Sequence, residues 1–209
     1  MTIHPTSSDT TPDTAPDTTP PPRALLIVDV QPTFCEEGEL PVSGGNDTAF
    51  RIADHLRDHR EDYVAIITSQ DWHIDPAEHF SDTPDFVDTW PPHGLAGSPN
   101  AQLHPAVAAA LGEHGADIAV KKGQHAAAYS AFDGTDDDGV ALTSLLARLA
   151  VTDLDVCGIA ESHCVRASAE DALRLGLGVR LLTELTVPVT PESGAAARAA
   201  IVTAGGVLL

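Results

Sequence analysis

Asp71, His73 and His79 fall within nine residues of one another in SQDWHIDPAEHF (residues 69–80), and His93 follows shortly after. Carboxylate and imidazole together form a ligand set suited to zinc, manganese or iron(II). Asp71 and His73 are separated by one residue, so on an extended segment they face the same side. The bland alternative is a solvated polar loop with chance histidines. His55 and His59 illustrate that alternative, because they read as part of an ordinary charged helix face. The loop running to about residue 100 is long for a compact domain, and such loops tend to be functional.

A second group of residues could carry covalent chemistry. Cys164 follows a strand pattern and opens a helical one. A helix start carries partial positive charge, which stabilises a thiolate and lowers the thiol pKa. A free cysteine there can equally be a small hydrophobe packed under a sheet. Asp29 follows the apolar run ALLIV. A carboxylate there is costly to bury unless it is paired or hydrogen-bonded. It suits a general base for a cysteine, or else a turn-forming Asp. Lys122 ends its strand before Gly123 and could hold an acid ionised and oriented; a solvated strand-end lysine is the alternative. Lys121 is its control, since adjacent strand residues point to opposite faces. Cys157 inside a strand and Cys35 in a loop read as structural.

These residues need elements to position them. Short apolar runs alternate with helical patterns. The strand candidates are 24–30, 63–69, 117–122, 153–160, 178–184 and a final GVLL. Helical patterns cover 48–60, 106–114, 139–150, 163–176 and 192–205. Such alternation predicts βαβ units, and hence a three-layer α/β/α fold around a mainly parallel, Rossmann-like six-stranded sheet. Ligands bind beyond the carboxyl ends of strands in open parallel sheets. Asp29, the SQDWH run, Lys122 and the GIAESHC turn all fall at that edge.

The chain has 209 residues, 43% of them apolar, enough for one domain with a real core. Residues 1–22 are a Thr/Pro/Asp-rich stretch with almost nothing to bury; the sequence predicts disorder there and one domain over 23–209. A net charge of -20 argues against nucleic acid and anionic membrane surfaces as partners. No apolar run approaches the ~20 residues that span a membrane, and no secretory leader is evident. Three cysteines do not read as a disulfide framework and favour the cytoplasm.

ALLIVDVQPTF, TSQDWHIDPAEHFSDTPDFVDTWPPH, KKG with AYSAF, and GIAESHCVRASAEDAL occur in that order over residues 24–185. Together they resemble the nicotinamidase/pyrazinamidase branch of the isochorismatase-like cysteine hydrolases, with WPPH and His79 similar to the actinobacterial members. The resemblance implies Cys164 as nucleophile, Asp29 as acid/base and Lys122 as the third member of a triad. It implies Asp71, His73 and His93 as ligands of one divalent metal ion (zinc, iron or manganese), with His79 a fourth. It implies a non-proline cis peptide at Ile159–Ala160 and an oxyanion hole from the N–H groups of Ala160 and Cys164. Phe34 and Trp90 resemble ring-sandwiching aromatics, and Tyr129, Ile159 and His163 resemble pocket residues.

The implied reaction is hydrolysis of nicotinamide, and of pyrazinamide, to acid and ammonia through a cysteine thioester, in NAD salvage. The implied metal role is to hold the ring. A different cysteine amidohydrolase of the same fold, or a non-catalytic binding relative, is the alternative. The sequence leaves open whether the protein is a monomer or a homo-oligomer. Glu161 and Ser162 depart from the small residue or Thr, and the Asp, usual at those positions. They put pocket polarity in question.

Overall fold

A computed structural model describes residues 21–209; the stretch expected to be disordered lies, through residue 20, outside the described residues. Six strands form one sheet: β1 (Arg23–Val28), β2 (Ala65–Asp71), β3 (Ile118–Lys122), β4 (Asp153–Ile159), β5 (Gly178–Val187) and β6 (Val207–Leu208). Every strand pair is parallel, and the order is β3-β2-β1-β4-β5-β6. The chain order therefore reverses between β1 and β4, which creates the crevice where ligands settle in such sheets.

The helices are α1 (Gly45–His59), α2 (Pro105–Leu111), α3 (Leu142–Arg148), α4 (Arg166–Arg174) and α5 (Pro191–Thr203). Alternation along β1 explains the three layers. Leu25 and Ile27 pack with Ile52 and Leu56 of α1 and Val107 of α2. Ala24, Leu26 and Val28 pack on the opposite face with Leu142 of α3, Ala169 of α4 and Ile201 of α5. A strand buried on both faces must be apolar at every position, and Ala24 through Val28 all have no exposed surface.

Element boundaries differ modestly from the pattern. β5 runs to Val187, past the expected 184, because its second half continues beside β4 after a register shift between Val156 and Gly158. On its other side β4 approaches β1 closely at Gly158, where a Cβ would meet the Val28 carbonyl oxygen at 2.0 Å. The expected helix at 163–176 begins instead as a π-helical turn, Glu161–Val165, that leads into α4. Among the described residues, no helix is long and apolar enough to cross a membrane.

Candidate active site

β1 ends at Val28, and Asp29 steps out of it with a left-handed φ of 49°. That conformation costs a non-glycine residue energy and clusters at functional sites. Here it turns a fully buried carboxylate towards the β1/β4 crevice. Ser69, at the end of β2, donates to Asp29 Oδ1 at 2.6 Å. Lys122, the last residue of β3, sets its Nζ 2.9 Å from Asp29 Oδ2 and 2.5 Å from Asp71 Oδ1. Nζ also donates to the Ala128 carbonyl at 2.9 Å and approaches Cys164 Sγ at 3.6 Å. The Lys122–Asp29 contact is a fully buried ion pair. Asp29, Asp71 and Cys164 bring their polar atoms within 4.8 Å of one another.

Burial and the neighbouring charges act on these groups in opposite directions. It raises the Asp29 carboxyl above its ordinary value, against the opposing pull of Lys122. Burial also pushes the Cys164 thiol well up, again opposed by Lys122 and reinforced by Asp29 and Asp71. Burial works against the Lys122 ammonium, but Asp29 and Asp71 more than restore its charge. The expected lowering of the thiol by a helix start is not seen. The physical reason is that Cys164 lies in the buried π-helical turn, beside two carboxylates, and desolvation outweighs the helix. Thiol, carboxyl and ammonium therefore titrate as one interacting set rather than as three independent groups.

The histidine cluster lies alongside. His73, His79 and His93 are buried, with ligand atoms within 4.8 Å of one another. His73 Nδ1 donates to the Gly123 carbonyl at 2.6 Å, and His93 Nδ1 donates to the Pro91 carbonyl at 2.8 Å. A carbonyl can only accept, so Nδ1 of each ring is the donor and Nε2 is the nitrogen placed to act as a metal ligand. Both Nε2 atoms lie 3.7 Å from Asp71 Oδ2. His73 Nε2 and His79 Nδ1 are buried with no hydrogen-bond partner among the described residues. Burial, with His73 and His93 nearby, lowers His79 to about 4, leaving it neutral near pH 7. Three buried imidazoles and a carboxylate, some of their atoms orphaned, fit a divalent metal ion. Gly123 tolerates no side chain: its φ is +72°, and a Cβ would sit 2.5 Å from His73 Cε1.

A cavity of about 620 Å³ opens above both groups. Phe34, Asp71, His79, Trp90, His93, Tyr129, Ala160, His163 and Cys164 all line it, as do Leu40, Phe86 and Val189. Trp90 Nε1 donates to the Tyr129 hydroxyl at 2.9 Å, and its ring meets His163 edge-on at 5.7 Å. The peptide Ile159–Ala160 is cis.

Four residues correct or add to the sequence expectations. Ile159 does not line the cavity; its side chain is fully buried in the core on the α1 face. Glu161 does not reach the cavity either: it turns towards α5 and pairs with Arg198. Ser162 bonds His163 Nδ1 at 3.0 Å, so its polarity is spent on a neighbour. Gln31 went unnoticed, yet its side chain receives the Asp71 N–H and donates to the Asp71 carbonyl at 2.9 and 3.0 Å. A glutamine two residues after Asp29, just past an apolar strand, was the available signal.

Comparison with known proteins agrees with this geometry. Residues 23–209 match the isochorismatase domain. The nicotinamidase/pyrazinamidase of Mycobacterium tuberculosis is 45% identical over 175 residues, covering 84% of this chain and 91% of that protein. A protein of L. infantum, solved in complex with nicotinate, superposes with a TM-score of 0.72 at 34% identity, covering 90% of this chain and 91% of its own. The pyrazinamidase of Pyrococcus horikoshii, solved in complex with zinc, gives a TM-score of 0.73 at 29% identity over 90% of this chain and 99% of its own. The chain belongs to the isochorismatase domain family.

Proposed function

We propose that the protein is an amidohydrolase that converts nicotinamide, and pyrazinamide, to the acid and ammonia through a Cys164 thioester. The observation that carries this reading is the position of Cys164. Its sulfur is at the cavity wall, 3.6 Å from Lys122 Nζ and within 4.8 Å of the Asp29 carboxylate, which Lys122 pairs. The names of the similar proteins, and the nicotinate bound by one of them, point to the same substrate class.

Asp29 takes the Cys164 proton, and the sulfur attacks the amide carbonyl carbon. Charge develops on the carbonyl oxygen. The Ala160 carbonyl accepts from the His163 and Val165 N–H groups, which fixes the turn around Cys164. The N–H groups of Ala160 and Cys164 then serve as donors to that oxygen, each worth ~3–4 kcal/mol in comparable sites. Asp29 returns the proton to the leaving nitrogen, the C–N bond breaks and ammonia departs. Asp29 next takes a proton from water, whose oxygen attacks the thioester. The C–S bond breaks, the acid leaves and Cys164 is reprotonated. Lys122 holds Asp29 in line throughout. Its charge also favours the ionised members of the set.

Asp71, His73, His79 and His93 would hold the divalent ion, whether zinc, iron(II) or manganese. Bound there, the ion supplies a Lewis-acid contact for the ring nitrogen, so its contribution is templating. Phe34 and Trp90 line the cavity where the ring would sit. Three free thiols, Cys35, Cys157 and Cys164, support a cytoplasmic setting, and release of nicotinic acid supports a role in NAD salvage.

The test is ammonia and nicotinate release from nicotinamide by purified protein, with each candidate metal supplied. Stoichiometric release supports the reading. No release with any metal overturns it and moves the substrate to another amide.

A further inference from the structure

Glu161 has no exposed surface, although it is a carboxylate. It immediately follows Ala160, which lines the cavity, and it opens the turn that carries Cys164. Its side chain points the other way, into the α5 side. Arg198 of α5 grips it with two bonds, Nε to Oε1 at 2.9 Å and Nη2 to Oε2 at 3.0 Å. The Thr186 hydroxyl, on β5, donates to Oε2 as well. The carboxylate is seated closely against α5, because a Cβ on Gly194 would come within 3.0 Å of Oε1. A buried carboxylate held by a planar fork is among the most geometrically demanding polar contacts.

We propose that Glu161, Arg198 and Thr186 form a clamp that positions the nucleophile turn for the reaction. The clamp fixes the chain three residues before Cys164 to two separate elements, α5 and β5. It thereby sets the Ala160 and Cys164 N–H groups and the sulfur relative to Asp29. Glu161 and Arg198 touch no reacting atom; they are positioning residues. Of the groups that surround a bound ring, Phe34 and His93 sit on other loops, and Trp90 meets the clamped turn only through its edge-on contact with His163. Loosening the clamp therefore lowers kcat and leaves KM nearly unchanged. A contact that serves only the fold would lower Tm and leave the kcat of the folded enzyme alone.

This inference rests on the amidohydrolase reading, so its test includes a readout independent of substrate. Glu161→Gln keeps the shape and removes the charge, and Arg198→Met removes the fork. Each is expected to lower kcat by about tenfold to a hundredfold, the scale of a small misplacement, with KM within about twofold. The rate at which iodoacetamide alkylates Cys164, followed by peptide mass spectrometry, is expected to change with them. Arg198→Lys restores one of the two bonds and is expected to recover part of kcat. The double variant is expected to be no slower than either single one, because the two residues act as a unit. Unchanged kcat and unchanged Cys164 alkylation in a variant with a native circular dichroism spectrum overturn the clamp. A rise in KM alone also overturns it. If Glu161→Gln does not fold, Arg198→Lys carries the same test, since the Arg198 side chain is 40% exposed and its replacement can be solvated. If wild-type protein releases no ammonia from nicotinamide, the substrate reading fails, and the alkylation rates still decide the clamp.

Discussion

Asp71 and Lys122 stand directly opposite each other in the β2–β3 register, and Lys122 Nζ meets Asp71 Oδ1 at 2.5 Å. Asp71 presents its other oxygen, Oδ2, to His73 and His93. One carboxylate thus joins the histidine cluster to the lysine that sits over Asp29 and Cys164. Burial would raise the Asp71 carboxyl, yet Lys122 and the two histidines hold it well below its usual range. The cluster that would hold the ring and the group that would attack it share one ion-pair network.

Replacing Lys122 by methionine leaves two buried carboxylates without a cation. Breaking a buried pair in this way costs about 3–5 kcal/mol. Lys122→Met is expected to lower urea stability on that scale and to lower turnover by at least about a hundredfold. Adding Asp71→Asn removes one orphaned charge and is expected to regain part of the stability without the turnover. Stability unchanged in the single variant would mean that the ion pairs contribute no net stabilisation.

Cys164→Ala removes the sulfur and little else, because the residue is small and its burial is nearly complete. Turnover is expected to fall to background while nicotinamide still quenches Trp90 in the cavity wall. Fluorescence titration alongside an ammonia assay checks both. Residual turnover above background would place the nucleophile elsewhere.

Metal removal tests the histidine cluster. His79→Ala and His73→Ala are each expected to lower bound metal per chain, read by elemental analysis after dialysis, with a native circular dichroism spectrum. Chelation of the wild type is expected to stop ammonia release, and one of zinc, iron(II) or manganese to restore it. Full activity at zero metal content would remove the templating role.

Alkaline pH should unfold the protein through its buried thiols. Burial, with Glu36 nearby, raises Cys35 to about 12, and burial raises Cys157 further. In the unfolded chain a thiol titrates near ~8.5. A group whose folded pKa is raised is fully stabilising below its unfolded pKa, and that contribution is lost as pH rises towards the folded value. Stability is therefore expected to decline from about pH 8.5 upwards. Cys35→Ala is expected to flatten that decline, measured by urea titrations at pH 8 and pH 10. An equal slope in both proteins would exclude Cys35 as a source.

Much of this arrangement was legible in the amino-acid order. The runs ALLIV, AII and VCGI are apolar at successive positions, which is what a strand covered on both faces requires, and each lies in a central strand. The quoted motifs lie where the chain leaves those strands, so Asp29, Asp71, Lys122 and Cys164 could be named together. Local pattern carries such information because strand period, helix period and turn chemistry are properties of neighbouring residues. The tertiary structure alone decided what depends on distance and burial. It placed Lys122 against Asp71, 51 positions away in the chain, because sheet register set them opposite each other. It raised the Cys164 thiol where a helix start suggested the reverse, because desolvation depends on everything packed around the sulfur. It hid Ile159 in the core and turned Glu161 from the cavity onto Arg198, since the direction of a side chain after a turn is set by the elements that meet it there.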